Sequence, residues 1–203
     1  MYTRAELKNN AKQQLKGKWG LAVLTCLVYT LIIQGTLAAS GGTAVSEGGS
    51  IYIGLNLLGW VLYGPISVGL CIFTLNLARN KESAKFTDLF SGFKLILKAL
   101  IITLLFNIAM FLGYMLFIIP GVIAGLMFSQ AYYVLTENPE LSAIECLKRS
   151  ASMMKGHKME LFVLGLSFIG WLVVCVLTFG IGYLWYTPYY QMTMANFYLN
   201  LKG

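Results

Sequence analysis

The sequence predicts an all-α integral membrane protein with about six transmembrane helices, and three observations carry that reading. Of its 203 residues, 58% are hydrophobic and 11% charged, whereas a soluble domain carries about 25% charged residues. The apolar residues gather into runs of about 18 or more, the length that crosses roughly 30 Å of hydrocarbon. Finally, six alternating spans place all fifteen Lys and Arg on one side, which the positive-inside rule makes the cytoplasm, with both termini there.

In chain order, residues 3–16 read as a short basic helix lying on the membrane surface. Thr3 and Glu6 fit a capping box. Arg4, Lys8, Lys12 and Lys16 recur every fourth residue beside an apolar stripe of Leu7, Ala11 and Leu15. The first span follows over residues 19–37. Leu37, Ala38, Ala39 and Ser40 loosely resemble a signal cleavage site, but the basic lead is long for a leader and more spans follow, so the segment is kept. A Gly- and Ser-rich loop over residues 38–50, with Glu47 as its only charge, should face outside.

The second span covers residues 51–77. In the basic linker after it, Phe86, Leu89, Phe90 and Phe93 suggest a second interfacial helix. Residues 95–135 are apolar apart from Lys98 and a few uncharged polar groups; one helix of that length would reach about 60 Å, so two spans are expected, broken near Gly113. Asn138, Pro139 and Glu140 read as the start of a third surface helix, with Leu141, Ile144, Leu147, Ala151 and Met154 on its apolar face. The fifth and sixth spans cover residues 161–179 and 183–201.

Three segments match one another: residues 59–65, 113–120 and 182–188 each hold a glycine, an aromatic and, six or seven positions on, a proline. One membrane domain, 1–203, would then contain three repeats, 1–79, 80–136 and 137–203, each a cytoplasmic amphipathic helix followed by a helical hairpin. Pro65, Pro120 and Pro188 would kink the returning spans and free the carbonyls of Val61, Leu116 and Leu184. With Asn107 they are the candidates for a midplane cavity, against the plainer role of bending helices for packing. Asn56 and Asn107 otherwise read as hydrogen bonds between helices.

No ionisable residue falls in the middle third of any span, which disfavours an ion-coupled pump. The four cysteines have no C-x-x-C spacing and read as buried small hydrophobes. Ser150 and Ser152 lack a nucleophile elbow, and the single histidine, His157, lacks partners for a zinc site or a triad. No catalytic, cofactor or metal residue is therefore expected. Seven of the eight acids share the basic side, which leaves it strongly positive. Its natural partner is anionic lipid rather than nucleic acid, with contacts through Arg4, Lys8, Lys12, Lys16, Lys148, Arg149, Lys155, His157 and Lys158.

Certain stretches resemble the bacterial integral membrane family called domain of unknown function 975. They are residues 116–121 (Leu-Phe-Ile-Ile-Pro-Gly), Glu137 to Glu140 with Ser142 and Ala143, Arg149 with Ser150, and residues 153–158. The opening Glu6-Leu7-Lys8 with Trp19-Gly20, and residues 168–171 with 177–182, are similar to that family as well. More distantly, the Ile-Pro-Gly turn with Arg149-Ser150 and Lys155-Gly156 resembles the membrane domain that accompanies some glycerophosphodiester phosphodiesterases. The resemblance implies a bacterial cell membrane and carries over no catalytic residue. The expectation is a non-enzymatic scaffold or accessory protein engaging a partner protein or anionic lipid. The alternatives are a small-molecule or lipid transporter working at the proline kinks and, less favoured, a membrane-embedded lipid enzyme.

Overall fold

A computed structural model describes residues 2–40, 49–80 and 82–202, and all regular structure among them is helical. The helices are α1 (Arg4–Leu15), α2 (Trp19–Ser40), α3 (Gly49–Arg79), α4 (Asp88–Ser91), α5 (Ile96–Leu116) and α6 (Ile118–Phe128), then α7 (Ala131–Glu137), α8 (Ala143–Met153), α9 (Lys158–Leu166), α10 (Ile169–Leu177) and α11 (Tyr183–Lys202). The expected loop after the first span is helical at both ends; residues 41–48, with Glu47, lie outside the described residues, as does Lys81.

Four segments are long and apolar enough to cross a bilayer: Leu58–Arg79, Asp88–Leu116, Ile118–Glu137 and Lys158–Leu177. Arg4–Leu15 and Trp19–Gly35 add a fifth if that pair, bent by 102°, counts as one span. The expected sixth, residues 183–201, is one continuous helix, α11, but it is not among them. Its Tyr, Thr, Gln and Asn residues suit protein contact better than lipid, and Tyr189 and all residues from Met192 to Tyr198 are buried.

The helices pack closely where glycine removes the side chain. A Cβ on Gly69 would lie 1.8 Å from the Leu89 carbonyl oxygen, and one on Gly92 would lie 2.0 Å from that of Pro65. The linker expected to form an interfacial helix is instead one α turn and a 3-10 turn (Gly92–Leu95) seated on α3, with Leu89 buried. The long apolar stretch breaks at Phe117, where the backbone is extended (φ −171°, ψ 163°), four residues beyond the expected Gly113. Gly113 instead lets α5 meet α6, because a Cβ there would come within 2.7 Å of Gly121 Cα.

Two further expectations change. The third surface helix begins at Ser142, not Asn138. Ser142 and Glu145 form a complete capping box, a Ser-x-x-Glu signal that outranks the Asn-Pro-Glu start, and Asn138 closes α7 instead. The buried face of this helix is Ala143, Cys146, Leu147 and Ser150, and Ile144 is 55% exposed. The fifth span is divided by a break at Ser167 and Phe168, with α9 before it and α10 after.

Candidate functional site: a basic and aromatic groove

Helix α1 holds its place through its N-terminus and its apolar stripe. Thr3 N–H at 2.6 Å and Thr3 O–H at 2.8 Å both donate to Glu6 Oε2, which keeps the Glu6 carboxyl below its ordinary pKa, and Glu6 N–H donates to Thr3 Oγ1 at 3.3 Å. Leu7, Ala11 and Leu15 are buried in the protein core, where α1 packs chiefly on α11. The stripe expected to lie in the bilayer surface is thus spent on protein. Asn196 Nδ2 donates to Gln14 Oε1 at 2.6 Å and Gln14 Nε2 to the Ala78 carbonyl at 3.1 Å, tying α1 to α11 and α3. Tyr2 N–H donates to Asn200 Oδ1 at 3.0 Å, so the two ends of the described chain lie together.

The predicted lysines on α1 therefore differ in what they reach. Lys8 Nζ donates to the Ser167 carbonyl at 2.9 Å and stands 4.2 Å over the Phe168 ring. It fastens α1 to the α9–α10 break, and burial, with Lys12 and Arg4 nearby, lowers its pKa. Lys12 and Lys16, one turn apart, edge a cavity of about 680 Å³. Lys12 Nζ also lies 5.6 Å from the Tyr189 ring centre.

The chain turns sharply after Lys16 because Gly17 adopts φ +86°, a conformation glycine takes without steric cost. That turn brings Trp19 onto the same cavity, whose other walls are Trp171, Val174 and Thr178 of α10 and its end, Ile181 and Gly182 of the following turn, and Trp185 and Tyr189 of α11. The second turn is equally specific, with Phe179 at φ 50° and Gly180 at φ 89°, and Gly182 N–H donating to Thr178 Oγ1 at 3.0 Å. Lys16 and Gly182, expected on opposite faces of the membrane, line one groove.

The remaining predicted contacts do not converge on one centre. Arg4 lines a smaller cavity of about 270 Å³ with Tyr2, Leu7, Glu160 and Phe197. Arg149 Nη1 donates to Asn138 Oδ1 at 3.3 Å, and His157 Nδ1 lies 3.3 Å from Glu160 Oε2. Lys148 and Lys155 are exposed and Lys158 is half-buried. Ser150 Oγ donates to the Met127 carbonyl at 2.9 Å and accepts from Gln130 N–H at 3.3 Å, bridging the break between α6 and α7.

None of Pro65, Asn107, Pro120 and Pro188 lines the cavities described. Pro65 and Pro188 are buried inside α3 and α11. Pro120 sits in the first turn of α6, where a missing N–H costs no internal hydrogen bond, so it starts a helix rather than kinking one. Asn107 is exposed, and its amide donates to the Thr103 carbonyl of its own helix at 2.9 Å, not to another helix. Asn56 has no described side chain.

Two polar constellations escaped the sequence. The Glu137 carboxylate pairs with the Arg79 guanidinium, accepts from Lys202 Nζ at 2.8 Å and accepts from Tyr198 O–H at 2.7 Å, joining the ends of α3, α7 and α11. Deeper in the bundle, the Thr103 and Tyr132 hydroxyls lie 2.9 Å apart, and Tyr29 and Ser67 meet at 3.5 Å. The tyrosines read as apolar bulk because hydropathy counts the ring before the hydroxyl. The four cysteines are buried and unpaired, and among the described residues no group of three His, Cys, Asp or Glu could hold a metal.

This architecture, helical throughout its described regular structure and carrying several apolar helices long enough to cross a bilayer, defines a helical membrane protein. More particularly, the chain belongs to the family described as Protein of unknown function (DUF975), whose model matches residues 1–124 and 115–203. No curated protein and no solved structure matches it.

Proposed function

We propose that this is a non-enzymatic protein of the bacterial cell membrane that engages anionic lipid through a basic cytoplasmic face and so supports a partner in the same membrane. The observation that carries the reading is the distribution of charge against exposure. Helices α5, α6, α9 and α10 expose Leu97, Ile101, Phe111, Ile123, Met159 and Val176, an apolar surface that lipid covers without cost. Exposed cations include Arg4 and Lys12 on α1, Lys16 just past its end, Lys148 and Arg149 on α8, and Lys155 in the turn after α8. Such residues near the headgroup level contribute about 1 kcal/mol each toward anionic lipid. Both termini, Arg4, Lys148 and Lys155 then share the cytoplasmic side, whereas Lys16 borders the groove at Gly182, beyond the far end of the Lys158–Leu177 segment.

The test is the lipid that accompanies the protein out of its native membrane. Mass spectrometry should find anionic phospholipid enriched over the bulk membrane, and a K148Q/K155Q/K158Q variant should lose much of that enrichment. An unchanged lipid profile in the variant would sink the reading, and a stoichiometric protein in the same preparation would identify the partner.

A further inference from the structure

We propose that α1, α9, α10 and α11 form a layer lying in the plane of the cytoplasmic leaflet, so that Lys158–Leu177 does not cross the bilayer and its exposed apolar stripe rests on the acyl chains of that leaflet. The inference deepens the reading above, since it takes the basic face as cytoplasmic. Direction is the first observation. Helix α1 runs antiparallel to α11: Tyr2 N–H donates to Asn200, Arg4 and Leu7 share a cavity with Phe197, and Lys12 lies by the Tyr189 ring. The α9–α10 pair is antiparallel to α11 as well. Glu160 borders the Phe197 cavity, Phe162 shares a cavity with Met194, and the Phe168 ring centre is 5.3 Å from that of Tyr189. These helices share one axis.

Helix α2 does not share it. The chain bends by 102° between α1 and α2, and α2 packs chiefly on α3, meeting it where Tyr29 faces Ser67. Helix α2 therefore stands across the layer, and only one of the two directions can follow the membrane normal. Side-chain polarity chooses between them. The exposed face of α1 carries Arg4, Glu6, Asn9, Lys12 and Gln13, and along the normal its roughly 18 Å would take charge into hydrocarbon, where it is costly. Helix α2 instead exposes Leu24, Leu27 and Leu31, a surface suited to lipid. With α2 upright the layer lies flat, and Lys16 stays on the cytoplasmic side although it shares a groove with Gly182.

The faces of α9 and α10 fit that position. Met159, Phe162, Leu166, Ile169, Val173 and Val176 are exposed at alternating spacings of three and four, which is one stripe of a helix. Glu160, Ser167 and Gly170 are exposed on a different side, where Lys8 meets the Ser167 carbonyl. A helix in the membrane plane turns such a stripe to hydrocarbon and such a polar side to headgroups.

Depth along the stripe tests the layer. Nitroxide labels would be placed on full-length M159C, L166C and V173C protein in bilayers, with wild type, whose four cysteines are buried, as background. Depth is read from the balance of collisions with oxygen and with a water-soluble nickel chelate. In a flat layer the three labels agree to within the rise of one turn, about 5 Å. In a crossing helix they spread along roughly 21 Å, L166C lying deepest, and that profile overturns the proposal. Labels on L24C and L31C of α2 should differ by about 10 Å; if they are level, the two axes are exchanged and the proposal falls. Should a labelled variant elute as aggregate, F162C, I169C and V176C report on the same stripe. A level stripe together with an unchanged lipid profile in K148Q/K155Q/K158Q keeps the layer and removes the anionic-lipid reading. A sloping stripe with anionic lipid lost in that variant does the converse.

Discussion

Replacing Glu137 with glutamine keeps the side-chain shape and removes the charge on which three helix ends converge. The Glu137 side chain is 6% exposed, whereas those of Arg79 and Lys202 are 50% and 49% exposed. Water can therefore take back much of what the two cations lose, and each surface pair counts for about 0.5–1 kcal/mol. Tyr198 cannot be rehydrated in the same way. It is 2% exposed and stacked on Tyr133 with ring centres 5.2 Å apart, so its bond to a charged acceptor contributes about 1.5–3 kcal/mol. A glutamine oxygen retains part of that bond, and the net loss is about 2–4 kcal/mol. At roughly 2–4 °C per kcal/mol for a chain of this size, thermal unfolding in detergent micelles should fall by about 4–16 °C. Y198F should account for more of the loss than K202Q. An E137Q midpoint within a degree of wild type, or a Glu137–Tyr198 double-mutant cycle with no coupling, would refute the argument that this carboxylate anchors the three helices.

G92A should be among the most damaging small substitutions, because its Cβ would lie 2.6 Å from Gly69 N as well as against Pro65 and two backbones cannot yield as a side chain can. A loss of about 3 kcal/mol is expected, read as a fall in folded yield and midpoint, and a wild-type melt would contradict the contact. S142A should cost about 1 kcal/mol by uncapping α8. The capping hydrogen bonds lower the pKa of Glu6 and of Glu145, so their stabilisation is present above the ordinary carboxylate pKa and is lost as pH falls through the lowered one; thermal melts between pH 7 and pH 3 should lose that increment in wild type and less of it in S142A. On intact cells, a cysteine introduced as S46C should react with an impermeant thiol reagent and one introduced as K155C should not, the reverse pattern inverting the topology. Cys146 cannot serve as the control, since its burial would silence it on either side.

The bilayer was legible as the solvent because runs such as residues 95–135 have no other use, and α1 was legible where the Thr3 hydroxyl and the Glu6 carboxylate fix its start, whereas the Asn138 start expected for α8 yields to the same signal at Ser142 and Glu145. What lay hidden was the choice between lipid and protein for each apolar face. In a bilayer both neighbours are hydrocarbon, so hydropathy does not separate them. Ile144 and Cys146 show this, one exposed and one buried two positions away, as does the α1 stripe that packs on α11 instead of the membrane. The close approaches were written in Gly69, Gly92, Gly113 and Gly121, but a glycine announces only that something comes near, not what. The groove had the same character. Its basic edge was visible as the spacing of Lys12 and Lys16, while the tryptophans opposite become part of it only when Gly17 and the turn after α10 fold the chain back on itself. A sequence can thus name the charged edge of a groove, because charge is rare in such a chain, and must leave the apolar walls to the structure, where apolar residues are everywhere.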